Sequence, residues 1–132
     1  MGGLQADVLI ADDEPHVTRV LKLALDRAGY RVETVQDGVA ALERIRCRPP
    51  DLLISDIQMP RMSGEQLCER LAAELPERDF PIVIITSMTF VGESHWSRRH
   101  RNLVLLEKPL SVRRLLSLMK SLLGAEAATA GD

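Results

Sequence analysis

Five side chains in this sequence have the types and placement to do chemistry together: Asp12, Asp13, Asp56, Thr86 and Lys108. Each stands at or just past the end of a short apolar run. Residues 6–11 (Ala-Asp-Val-Leu-Ile-Ala) run into Asp12-Asp13-Glu14, and 51–55 (Asp-Leu-Leu-Ile-Ser) run into Asp56. Residues 81–85 (Pro-Ile-Val-Ile-Ile) end on Thr86, and 102–106 (Asn-Leu-Val-Leu-Leu) are followed by Glu107-Lys108-Pro109. Taken alone, Asp56 reads as a turn aspartate of the kind that commonly follows a strand. Taken together, three carboxylates at one edge of a sheet repel one another unless a cation joins them. Oxygen-only ligands suit a hard ion, and Mg²⁺ binds through one or two carboxylates while keeping several waters. Lys108 adds a compact positive charge that can pair with an acid or meet a phosphate, and Thr86 adds a hydroxyl donor. Nucleophile, metal and charge clamp are the parts of a phosphoryl-transfer site, with Asp56 as the attacking carboxylate.

These residues converge only if the apolar runs are parallel strands, and the segments between the runs predict that. After Asp12-Asp13-Glu14, whose charge suits a helix N-terminus, Pro15 fits a first turn. Val17, Val20, Leu21, Ala24, Leu25 and Ala28 then recur at helical spacing as one buried face, stopped by Gly29. A second strand is expected over 30–35, and a second helix over 38–46 with Asp37 as its cap and Ala41, Leu42 and Ile45 inward. Pro49-Pro50 ends that helix. Leu52, Leu53 and Ile54 read as a strand buried on both faces, as in a parallel sheet, and Pro60 forbids its extension. Ser63 or Gly64 opens a third helix with Leu67, Cys68, Leu71 and Leu75 inward. A helix over 92–101 is expected by position, with Trp96 its one large anchor. Ser111 caps a last helix bearing Val112, Leu115, Leu116, Met119, Leu122 and Leu123, and Gly124 closes it. Residues 125–132 are small and polar and should fray. Strands alternating with amphipathic helices imply an α/β, doubly wound (βα)5 parallel sheet with right-handed crossovers. In such sheets ligands sit outside the carboxyl ends of the strands, where the five side chains fall.

The bulk properties set the class. A chain of 132 residues, 45% apolar and 27% charged, fits one soluble globular domain. A net charge of −2 lacks the basic excess of a nucleic-acid binder. No apolar run approaches the roughly 20 residues that span a bilayer, and residues 1–5 carry no signal-peptide pattern. The cytoplasm is therefore the expected location. Cys47 and Cys68 fit no metal or redox spacing and read as reduced thiols within helices.

The chain resembles a bacterial response-regulator receiver domain, the phosphoacceptor half of two-component signalling. The matching residues are Asp12-Asp13, the run Leu53-Ile54-Ser55-Asp56-Ile57-Gln58-Met59-Pro60, Met62, Gly64, Thr86 and Lys108-Pro109. Asp56 lies 30 positions before Thr86, and Thr86 22 before Lys108, both typical of that family. The likeness runs from about residue 6 to 124, with 125–132 left as a tail. It implies a single flavodoxin-like domain of strand order 2-1-3-4-5. It implies that Asp56 takes a phosphoryl group from the phosphohistidine of a sensor histidine kinase or phosphotransfer protein. It further implies that Asp13, Asp56 and the backbone carbonyl of Gln58 bind Mg²⁺, that Asp12 acts through water, and that Thr86 and Lys108 bind the phosphoryl oxygens. Pro109 is commonly cis in that family. The protein would then be a signalling switch rather than a metabolic enzyme, catalysing only its own phosphorylation and dephosphorylation.

Two departures matter. Leu105 stands where such domains often carry an aromatic switch residue, so the signal is read without that rotamer or through Phe90 or Trp96. Ser87 is slightly larger than the usual residue after the threonine, and Gln58 and Met88 occupy positions that tune phosphate lifetime in the family. The basic run at 95–101 falls on a surface that receivers use for self-association or effector binding, together with the fifth strand and last helix; a solvated helix face is the plainer reading. Two alternatives remain: a receiver-fold binding module that works without phosphate, which Leu105 keeps open, and a Mg²⁺-dependent phosphohydrolase. The latter usually needs an acid two positions after the nucleophile, where Gln58 cannot transfer a proton. No output domain is visible beyond Gly124, so a stand-alone regulator and a receiver cut from a longer protein are both compatible.

Overall fold

The structure, a computed structural model, describes residues 5–87 and 100–124. Within them the chain alternates β1 (Asp7–Ala11), α1 (Pro15–Arg27), β2 (Arg31–Val35), α2 (Gly38–Cys47), β3 (Leu52–Asp56), α3 (Gly64–Glu74), β4 (Ile82–Thr86), β5 (Leu103–Glu107) and α4 (Val112–Leu123). All strand pairs are parallel and the order is β2-β1-β3-β4-β5, as the resemblance implied. The connections place helices on both faces. Leu9, Leu53, Ile82 and Ile84 point to one face and meet Ala41, Leu42 and Ile45 of α2 and Leu67, Cys68 and Leu71 of α3. Val8, Ile10, Leu52, Ile54, Val83 and Ile85 point to the other and meet Leu21 and Leu25 of α1 and Leu115 and Met119 of α4. Every residue of β3 and β4 is buried, because each strand has a neighbour on both sides and a helix layer above and below.

The helix boundaries follow local chemistry. Asp37 caps α2 by accepting from the Ala40 amide at 2.8 Å, and Ser63 with Gln66 forms a reciprocal capping box at α3. Ser111 accepts from the Arg114 amide at the start of α4, which closes at Gly124. At α1 the cap residue, Glu14, makes no side-chain cap bond; Asp12 instead accepts the Glu14 amide at 2.9 Å. Pro15 begins the helix as expected.

Two sequence expectations are corrected. Val20 is 58% exposed rather than part of the buried face of α1. The buried stripe centres on Leu21 and Leu25, and Val20 lies about 100° round the helix from Leu21, on its flank. His100 and Arg101 form a bend, not the end of a helix. The rest of the expected helix, with Met88, Phe90, Trp96 and most of the basic run, lies outside the described residues, as does the tail at 125–132. Cys47 and Cys68 are free thiols within α2 and α3, and burial pushes Cys68 up to about 12.

Candidate functional site

The register of the sheet decides which side chains can meet. Ala11 pairs with Ser55, so the residues that follow, Asp12 and Asp56, emerge level on adjacent strands. Asp56 pairs with Ile85, which puts Thr86 one residue higher on β4. Thr86 pairs with Glu107, so Lys108 follows one residue higher again on β5. The Lys108 amide donates to the Thr86 carbonyl at 2.8 Å and fixes that last step. Four strand ends therefore rise as a staircase around one point.

At that point the carboxylates of Asp12, Asp13 and Asp56 each offer an oxygen, and the three oxygens lie within 4.8 Å of one another. Asp12 and Asp56 are buried and Asp13 is exposed, so the cluster opens to solvent on the Asp13 side. Burial raises the Asp12 carboxyl above its ordinary value, against the Glu14 amide; the Asp56 carboxylate raises it further and Lys108 opposes this. That balance describes a site short of positive charge, and the all-oxygen donor set fits a hard divalent cation. Lys108 supplies part of the charge, its Nζ lying 3.4 Å from Asp56 Oδ2. Asp56 Oδ1 accepts the Ile57 amide at 2.8 Å, so both oxygens of this carboxylate are oriented. Thr86 is buried, and its hydroxyl donates to the Ser87 carbonyl at 3.3 Å. Gln58 is exposed in the loop that follows β3. The Lys108–Pro109 peptide is cis, in agreement with the sequence expectation. Leu105 is half-buried and packs with the core beneath α2 and α3.

The sequence thus located four side chains that the fold brings together, Asp12, Asp13, Asp56 and Lys108, with Thr86 one strand end away. It missed how the loop between β3 and α3 is held. Asp37 is more than the helix cap that its position predicts. Its other oxygen, Oδ2, accepts from Arg61 Nη2 at 2.6 Å and from Nε at 3.1 Å. Both the amide of Ala40 and Arg61 hold the Asp37 carboxyl below its usual range. Arg61 has φ 66°, a left-handed conformation that costs a residue with a Cβ about 1–2 kcal/mol. The glycines on either side of this loop are required by close approach. A Cβ on Gly38 would lie 2.4 Å from the Met62 carbonyl oxygen, and one on Gly64 would lie 2.5 Å from that of Asp56. The one legible signal was Asp37-Gly38 itself, a glycine in a helix's first turn where propensity alone disfavours it.

A doubly wound sheet of this order, with acids following its first strand and ending its third and a lysine following its fifth, places the chain among the flavodoxin-like α/β domains. The family profile of the response regulator receiver domain matches residues 8–120, and the chain belongs to that family, a component of two-component signalling. Among curated relatives, the response regulator MprA of Mycobacterium ulcerans is 35% identical over 116 residues, covering 88% of this chain and 49% of that protein. The chain therefore spans about half the length of the curated relatives it matches. Among solved structures, the signal receiver domain of a signal transduction histidine kinase from Syntrophus aciditrophicus is 30% identical with a TM-score of 0.81, covering 91% of each chain. The chemotaxis response regulator CheY4 of Vibrio cholerae is 28% identical with a TM-score of 0.81, covering 89% of this chain and 98% of its own. Among the described residues no helix is long and apolar enough to cross a membrane.

Proposed function

We propose that Asp56 is the phosphoacceptor of a phosphorelay and that its phosphorylation switches a protein-interaction surface. The observation that carries this is the Asp56 carboxylate, oriented by the Ile57 amide and faced by Lys108 at 3.4 Å, inside a three-acid cluster. The donor is the phosphohistidine of a sensor histidine kinase or phosphotransfer protein. A carboxylate oxygen of Asp56 attacks phosphorus, the P–N bond breaks with its electron pair going to the imidazole, and an acyl phosphate remains. Negative charge on the non-bridging oxygens is met by the Lys108 ammonium and by the Thr86 hydroxyl once it turns from the Ser87 carbonyl. Asp13, Asp56 and the Gln58 backbone carbonyl would hold Mg²⁺, with Asp12 acting through water, and the ion would supply charge neutralisation among the acids and on the phosphoryl oxygens.

The receiver unit occupies residues 6–124 and works in the cytoplasm as a switch, turning over only its own acyl phosphate. Self-association or effector binding falls to the face of β5 and α4 with the segment before them. The test is intact mass after incubation with acetyl phosphate and Mg²⁺, beside Asp56→Asn. One added phosphoryl group, absent from the variant and without Mg²⁺, is the expected result. An unchanged mass together with no binding of beryllofluoride would overturn it in favour of a binding module that works without phosphate.

A further inference from the structure

The loop at residues 57–63 carries Gln58 but has no regular structure of its own, and most of what fixes it lies outside the acid cluster. It is attached at three places. At its start, the Ile57 amide is bonded to Asp56 Oδ1 and to the Ile85 carbonyl, and the Ile57 carbonyl takes the Gly64 amide at 2.8 Å. At its far side, Arg61 places two N–H groups on Asp37 Oδ2. Immediately after, Met62 sits against Gly38 in the space a Cβ would fill. The last two attachments both land on the first turn of α2, which Asp37 caps with its other oxygen.

The Arg61–Asp37 contact joins a buried acid to an exposed cation. Asp37 is only 7% exposed although its partner's side chain is 65% exposed, so the carboxylate is fixed and the arginine reaches in to it. Arg61 holds a left-handed backbone to make that reach. With the guanidinium largely in solvent, the pair's return on a strained backbone is modest. Strain held in place by a contact to another element points to a conformational task, and what this conformation sets is the path of the chain from Asp56 past Gln58.

We propose that the Arg61–Asp37 pair is a positioning device for Mg²⁺ binding: it holds the β3–α3 loop so that the Gln58 carbonyl faces the acid cluster before the ion arrives. Arg61 touches neither the ion nor the phosphoryl group; it acts by pre-organising the loop against α2. This rests on the metal reading given above.

The test is a Mg²⁺ titration followed by backbone amide shifts, with thermal unfolding of the same samples in chelator. The variants are Arg61→Gly, Arg61→Lys and Asp13→Asn. Glycine relieves the left-handed backbone while removing the latch. Arg61→Gly is therefore expected to keep or raise the unfolding temperature, yet to weaken Mg²⁺ roughly tenfold, at the low end for loss of an outer-sphere partner. Its amides at 57–63 should also broaden or shift in the metal-free state. Arg61→Lys, which keeps the charge without the two-pronged contact, should recover part of the affinity. Mg²⁺ affinity in Arg61→Gly within about twofold of wild type, with Asp13→Asn still weakened, would overturn the latch and leave the metal site standing. Failure of the wild type itself to bind Mg²⁺ would overturn both.

Discussion

At the scale of single residues, Lys108 is where the site's electrostatics are most exposed to test. Its ammonium is the cation the described structure places against Asp56, at 3.4 Å, and it stands on the peptide that the β4–β5 register delivers. A donor aimed at charge that develops during group transfer contributes about 10²–10³ in rate when removed singly. Lys108→Ala should therefore slow phosphoryl uptake from acetyl phosphate by about two orders of magnitude, read by intact mass against time. Some stability should go with it, because the buried Asp56 carboxylate loses its facing cation. Loss of uptake fully accounted for by unfolded protein in the same sample would assign Lys108 a structural role instead. The chemistry-bearing residues were legible in the sequence because each ends an apolar run, and parallel strands carry such ends to one edge. Arg61 was not, because a left-handed arginine leaves no trace in composition or periodicity, and its partner Asp37 was already accounted for as a cap.

At the scale of elements, two joints set the geometry. The first is the close approach of α3 to β3. Gly64 lies against the Asp56 carbonyl, so a Cβ there must displace backbone rather than a flexible side chain. Gly64→Ala should cost about 1–3 kcal/mol, the usual range for overpacking, and should also disturb Asp56; urea denaturation and phosphoryl uptake read the two effects separately. The second joint ties α2 to α3: Glu74 accepts from Arg46 at 2.8 and 2.6 Å and from Arg70 at 2.8 Å. The side-chain hydrogen bonds from Arg46, then Arg70, hold its carboxyl at about 2, below the ordinary 4.5. A carboxyl lowered on folding adds stability above its unfolded value and loses it as pH falls through the folded one. The stability gap between wild type and Glu74→Gln should thus be level above about pH 5 and close between about pH 4.5 and 2 in urea titrations. A gap that stayed constant to pH 2 would remove the ion pairs from the account. Neither joint was visible beforehand. Helical periodicity identified Leu67, Cys68 and Leu71 as inward-facing, but it says nothing about which exposed arginine of α2 meets which acid of α3. The same periodicity placed Val20 inside because spacing alone does not locate the edge of a buried stripe.

For the molecule as a whole, the hydrophobic layers and the carboxylate edge work against each other. Leu52, Leu53, Ile54, Ile82, Val83 and Ile84 are all fully buried, each contributing about 1.5–3 kcal/mol. The ends of β1 and β3 press acids together, with Asp12 held above its ordinary value chiefly by burial, Asp56 adding to the effect. A fold with that much core can carry a destabilised edge, and on the metal reading proposed above the edge is where a cation's binding energy would become folding energy. In chelator, Asp13→Asn should raise the unfolding temperature, because it removes one of three like charges without opening a cavity. With Mg²⁺ at ten times its dissociation constant, the wild type should gain about 1.4 kcal/mol and the variant much less. Thermal unfolding with and without Mg²⁺ gives all four values. If Asp13→Asn were less stable than wild type in chelator, the acids would not be in conflict and the lysine would already satisfy them. If the order reverses on adding Mg²⁺, the wild type becoming the more stable, then the sheet edge is built for an ion it does not itself supply.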